Sequence, residues 1–229
     1  MIERLSTGVR CIDDRVLGFP KNKTTVILGE TGIGKTMFGL QFARAGLYSD
    51  ERVGYFVAKD SPEQILSDIS SLGWDFGWAL EQARFKIIDV RDYFWNATKE
   101  DLGTSYLPNF FQEVERLIRT FNLSRVVIDP VIPPALVALP EFYSRYVSEL
   151  IRFFENTALR VTTLLLHAER LDYPVFERTQ APNLIQMFFT HHQEQYRRTL
   201  VIQKMQNTAY QPKEIRFDIV FEQGLVEVS

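Results

Sequence analysis

Gly29-Glu30-Thr31-Gly32-Ile33-Gly34-Lys35-Thr36 spells G-x-x-x-x-G-K-T, and each fixed position has a physical job beside a phosphate. The glycines accept backbone angles that other residues resist, so N–H groups can close around an anion. Lys35 adds a point charge for β- and γ-phosphates, and the Thr36 hydroxyl suits Mg²⁺. The candidate nucleotide-binding set is Glu30, Thr31, Gly32, Ile33, Gly34, Lys35, Thr36 and, directly after the loop, Met37. A short motif can arise by chance, so its flanks decide. A buried strand should lead in and a helix should lead out.

Both flanks fit. Thr24-Thr25-Val26-Ile27-Leu28 is a short β-rich, mostly apolar run of the kind buried in a parallel sheet. Beyond the loop, Phe38, Phe42 and Ala45 recur at helical spacing. Strand, loop and helix start together point free N–H groups and the positive end of a helix dipole at an anion.

The same alternation continues. Val53–Ala58, Phe85–Asp89, Val126–Asp129 and Val161–Leu166 read as strands. Ser61 reads as a helix N-cap with Pro62 at the first helical position, and Ile65, Leu66, Ile69 and Leu72 form an apolar stripe. Two further amphipathic helices are marked by Phe110, Phe111, Val114, Leu117, Ile118 and Phe121, and by Tyr143, Tyr146, Val147, Leu150, Ile151 and Phe154. Asp92–Pro108 reads as a surface excursion, and Val126–Pro140 as a strand followed by a loop. The chain end differs: Thr199–Lys204, Ile215–Ile219 and Leu225–Glu227 read as strands joined by short turns. The expected fold is α/β, a mainly parallel sheet flanked by helices, with a C-terminal antiparallel extension at one edge.

Composition bounds the partners. The 229 residues suit one domain spanning residues 1–229 with a substantial core. A net charge of −3 does not indicate a strongly basic nucleic-acid binder. Cys11 has no second cysteine to pair with, which agrees with a reducing, cytoplasmic setting, and its expected role is packing. The charged start Met1-Ile2-Glu3-Arg4 lacks a signal-peptide apolar segment. No apolar run approaches the roughly 20 residues that span a bilayer, so no membrane partner is expected.

A triphosphate site needs a metal holder. Asp129, at the carboxyl end of an apolar strand, would share a rim with the loop and contact Mg²⁺ directly or through water. Hydrolysis also needs a group to position the attacking water. Asp60, just after the second strand, is the candidate, although it is one methylene shorter than glutamate. Lys59 could sit over the γ-phosphate but cannot act as a base while charged. His167, His191 and His192 read as structural or solvated residues, and no Cys/His cluster has zinc spacing.

These residues together resemble the KaiC-like branch of the RecA-type ATPases. The resemblance runs nearly end to end, through Arg4-Leu5-Ser6-Thr7-Gly8-Val9, Ile12-Asp13, Leu17-Gly18-Phe19-Pro20, the phosphate loop, Val126–Asp129, and Lys204-Met205-Gln206-Asn207-Thr208, where the family has K-x-R-G-T. It implies a nucleotide lying between subunits of a ring, often a hexamer. Lys204 would then reach a neighbour's γ-phosphate, Thr208 would help shape that contact, and Gln206 would occupy the nucleotide-binding position of the family's arginine. The departures matter as much. Lys59-Asp60 stands where the family has paired glutamates, Gln206 replaces an arginine, and Tyr210 replaces a histidine. A trans arginine is worth several orders of magnitude in phosphoryl transfer, so turnover should suffer more than binding. The expected protein is an ATP- and Mg²⁺-binding homo-oligomer with a regulatory or scaffold role and slow or absent hydrolysis. The alternatives are an active ATPase using Asp60, or a recombination-type DNA-binding paralogue. DNA binding would fall on Ala168–Gln195, where Arg170 and Arg178 sit among Glu169, Asp172, Glu177 and Glu194, beside aromatic Tyr173, Phe176, Phe188 and Phe189. That mixed charge does not favour it.

Overall fold

The chain is described here from a computed structural model, covering residues 2–91, 106–130, 140–156, 158–168, 181–192 and 195–228. The phosphate-loop strand β3 (Thr24–Gly29) is buried along its whole length. It lies between two parallel neighbours, β7 (Thr162–Ala168) and β8 (Asn183–His192). Beyond β7 come β6 (Arg125–Asp129), β4 (Val53–Val57) and β5 (Phe85–Asp89), all parallel. Beyond β8 come β9 (Gln195–Met205), β10 (Ile215–Val220) and β11 (Gly224–Glu227), each antiparallel to the strand before it. The nine strands run β11-β10-β9-β8-β3-β7-β6-β4-β5. This is the expected RecA-like sheet with its antiparallel edge.

Helices cover both faces because both faces of the central strands are apolar. On one face, Ile27, Tyr55, Val57, Val127, Leu164 and Leu166 pack against α1 (Arg10–Val16), α2 (Lys35–Tyr48), α3 (Pro62–Ser71) and α4 (Gly77–Glu81). On the other, Val26, Leu28, Phe56, Val126, Ile128 and Leu165 pack against α5 (Tyr106–Phe121) and α6 (Pro140–Phe154). Phe38 and Phe42 of α2 are fully buried, each contributing about 1.5–3 kcal/mol of apolar burial. The cap of α3 forms as read: Ser61 accepts the Gln64 N–H at 3.2 Å, with Pro62 in the first turn.

Four readings change. Asn183–His192 is a strand, not loop, so part of the stretch considered for DNA is sheet; its pairing comes from β3 and β9, which local sequence does not reveal. Of the two connections read as short turns, only 221–223, between β10 and β11, is short; nine residues, 206–214, separate β9 from β10. Leu66, read as part of the apolar stripe, is exposed, because the buried side of α3 runs through Ile65 and Ile69. An N-terminal unit went unread: β1 (Arg4–Leu5) pairs with β2 (Phe19–Pro20) around α1. Of the surface excursion, 92–105 lies outside the described residues, and α5 begins at Tyr106. Residues 131–139, 169–180 and 193–194 also lie outside them, including Arg170, Arg178, Tyr173 and Phe176.

Candidate functional site

The carboxyl end of β3 opens into the loop, and α2 starts from its far side. Gly32 and Gly34 have φ of +80° and +114°, angles that would strain any side chain. The Gly34 carbonyl accepts the Phe38 N–H at 3.0 Å, so the helix is wound from the loop itself. Lys35 folds back over this turn, its Nζ donating to the carbonyls of Gly29 (2.9 Å) and Glu30 (2.7 Å).

Thr36 points the other way. Its hydroxyl donates to Asp129 Oδ2 at 2.7 Å. Asp129 is only 8% exposed. Burial pushes its carboxyl above the usual carboxylate range, and hydrogen bonds from Thr36 and Tyr55 act against that push. The Tyr55 hydroxyl donates to the same Oδ2 at 2.8 Å, and burial beside this carboxylate drives the phenol well above its ordinary value. The nearby Asp60 raises Asp129 further while Lys35 lowers it.

A cavity of about 430 Å³ collects these groups. Thr31, Gly32, Gly34, Lys35, Thr36, Met37, Lys59, Asp60 and Asp129 line it, joined by Pro130, Ala168 and Ile219. Clefts of about 540 and 520 Å³ lie elsewhere, but neither holds the loop or a strand-end carboxylate. Of the nucleotide set, Ile33 is fully buried and can offer only its backbone, while the Glu30 carboxylate is drawn aside to accept the Phe189 N–H at 2.9 Å. Lys59 is exposed and Asp60 half-buried. Thr36 and Asp129 supply hard oxygen donors side by side, which suits a divalent cation such as Mg²⁺.

The lining residues Ile219, Pro130 and Ala168, and the buried Tyr55 behind Asp129, escaped the sequence reading. Ile219 belongs to the alternating strand β10, and a Cβ on Gly34 would meet its Cδ1 at 2.9 Å. The alternation was legible, but the packing of Ile219 against the loop was not. Tyr55 carried a weak signal, as a hydroxyl inside an otherwise apolar central strand. His167 is buried in β7 next to Leu28, and His191 is exposed at the far end of β8.

Lys204, Gln206 and Thr208 lie away from this cavity. Lys204 pairs with Leu184, which pairs with Val26. It therefore sits three rungs, about 10 Å, toward the amino end of β3 from Gly29 and two strands across. Its Nζ donates to the Ala181 carbonyl at 2.8 Å. The Thr208 hydroxyl donates to the Gln206 carbonyl at 3.0 Å. Arg4 fastens this turn to the N-terminal unit, donating to Thr208 Oγ1, to the Asn207 carbonyl, and to the carbonyls of Val16 and Gly18 at 2.9 Å.

The whole chain resembles known proteins in sequence and in fold. A family model described as "ATPase: KaiC" matches residues 5–228. A circadian clock oscillator protein KaiC from Prochlorococcus marinus subsp. pastoris is 25% identical over 100% of this chain and 47% of its own length. Its counterpart from Thermosynechococcus vestitus is 28% identical over 95% of this chain and 43% of its own. The chain thus spans less than half the length of these clock relatives. A UPF0273 protein from Methanopyrus kandleri is 24% identical over 96% of this chain and 90% of its own. Among solved structures, a KaiC-like protein from Pyrococcus horikoshii OT3 superposes over 100% of both chains with a TM-score of 0.83 at 24% identity, a likeness of fold.

Proposed function

The chain belongs to the KaiC ATPase family, and from that premise we propose a RecA-type domain that binds Mg²⁺·ATP, hydrolyses it slowly or not at all, and serves as a regulator or scaffold. One observation carries the binding half: Thr36 from the phosphate loop and Asp129 from β6 hydrogen-bond at 2.7 Å beside Lys35, in one cavity. Lys35 would release the loop carbonyls and take up phosphate oxygens, forming charge-assisted bonds. Thr36 and Asp129 would hold the cation, whose chemistry is to neutralise charge between the β- and γ-phosphates. Residues 1–229 act as one such unit in this reading.

The slow half rests on what surrounds the phosphate end. Asp60 is the only carboxylate besides Asp129 among the described residues lining the cavity, and Lys59 beside it carries a positive charge. Gln206 offers no cation. The interface half rests on placement. Lys204, Gln206 and Thr208 sit toward the opposite end of the strands from the loop, so they would reach a γ-phosphate only in a neighbouring copy. A homo-oligomer, on the family pattern a hexamer, follows from this reading. The second reading, an active ATPase, has one observation in its favour: Asp60 lines the cavity and its charge is felt at Asp129.

Titrating a fluorescent ATP analogue with and without Mg²⁺ tests the binding half. Saturable, Mg²⁺-stimulated binding that Lys35→Ala weakens is expected. Equal binding by Lys35→Ala would contradict it. Among the described residues, no helix is long and apolar enough to cross a membrane.

A further inference from the structure

We propose that the Tyr55 hydroxyl is a positioning group for divalent-cation binding, holding the Asp129 carboxylate in register with Thr36. The inference rests on reading the cavity as a Mg²⁺·nucleotide site, and it concerns a residue outside the phosphate loop and outside β6.

The sheet register creates the contact. β4 and β6 are parallel neighbours, with Tyr55 opposite Val127 and Val57 opposite Asp129. Paired residues in a parallel ladder share a face, and alternate residues return to it. Tyr55 and Asp129 therefore project to the same side, offset by one pair, which suits a long side chain reaching diagonally. Tyr55 is fully buried, and its hydroxyl arrives at Oδ2 at 2.8 Å, where Thr36 also donates at 2.7 Å.

Both bonds use the same oxygen. Two donors on Oδ2 fix the plane of the carboxylate and leave Oδ1 for a cation or its bound water. The helix above is shaped to permit this. A Cβ on Gly39 would lie 3.1 Å from the Tyr55 oxygen and 2.7 Å from Leu166 Cδ1, so α2 passes close over the hydroxyl only because position 39 has no side chain. A buried phenol needs a partner in any case; here the partner is the one carboxylate whose orientation the cation depends on.

Tyr55→Phe removes one oxygen and keeps the ring in the core. The experiment measures the Mg²⁺ concentration that half-maximally stimulates binding of a non-hydrolysable fluorescent ATP analogue. It measures affinity in EDTA alongside, and Mn²⁺ binding by electron paramagnetic resonance. Losing one hydrogen bond to a charged group should raise the half-saturating Mg²⁺ about tenfold, weaken Mn²⁺ similarly, and leave affinity in EDTA unchanged. In an Asp129→Asn background the same substitution should have no further effect on the Mg²⁺ midpoint, because the two residues act through one contact. A Tyr55→Phe midpoint within about twofold of the unsubstituted protein, or an equal shift in the Asp129→Asn background, overturns the proposal. Absence of any Mg²⁺-stimulated binding in the unsubstituted protein instead overturns the reading of the cavity itself, and the proposal with it.

Discussion

Thr36 and Asp129 stand 93 positions apart and share a hydrogen bond, and most of the site's chemistry at the residue scale follows from that meeting. The loop residues were legible because their spacing is a chemical requirement. Asp129 was legible because carboxyl ends of parallel strands share a rim. Tyr55 and Ile219 were not, because one reaches Asp129 and the other reaches the cavity through tertiary geometry that local sequence does not encode. On the proposed reading, Lys35→Ala would remove charge-assisted bonds to phosphate and should weaken nucleotide binding about 10- to 100-fold, read by fluorescence titration; unchanged affinity would remove the loop from the site. Cys11 makes a separate test. Burial, with Glu227 adding to it, pushes its thiol up to about 11, so it stays protonated and inert near neutral pH. Iodoacetamide at pH 8 should label it only when the protein unfolds in concentrated urea. Fast labelling of the native protein would contradict the packing role.

Elements that stand on their own local chemistry were read well: β3 from its apolar run, α3 from its Ser61-Pro62 start, α5 and α6 from their stripes. β8 was missed because it borrows its stability from neighbours on both sides and interleaves Gln186 and Thr190 with apolar residues. α1 was missed because it is short and Val9 provides no side-chain cap. Two element-level joints can be tested. Arg125, 1% exposed at the start of β6, pairs with Glu51, donates to the carbonyls of Ser6 (2.7 Å) and Phe42 (3.1 Å), and lies over the Phe42 ring. It ties β6, α2 and the N-terminal unit together. Arg125→Ala strands a carboxylate and breaks these bonds, which should cost about 3–5 kcal/mol in urea denaturation. A loss below about 1 kcal/mol would show that the joint matters little. Gly39→Ala pushes a methyl group into Leu166 and should cost about 1–3 kcal/mol; a neutral result would mean that α2 lifts off the sheet easily.

For the whole molecule, the mainly parallel sheet and its antiparallel edge were legible from alternation and from the change of pattern near the end, but the strand order was not. The approach of Ile219 on β10 to the loop was not legible either. The placement of Lys204 toward the far end of the sheet makes sense in an assembly where one copy completes another's site. Light scattering should then show mass rising when Mg²⁺·ATP is added, and Lys204→Ala should suppress the rise while nucleotide affinity persists. The same mass with and without nucleotide would argue against the interface reading. The central claim, a site that grips ATP without spending it quickly, is tested most directly by measuring ATP turnover and ATP affinity in one preparation. The account predicts saturable Mg²⁺-dependent binding with turnover far below about 1 per second, the low end for ordinary enzymes. Turnover near that rate, abolished by Lys35→Ala, would contradict it.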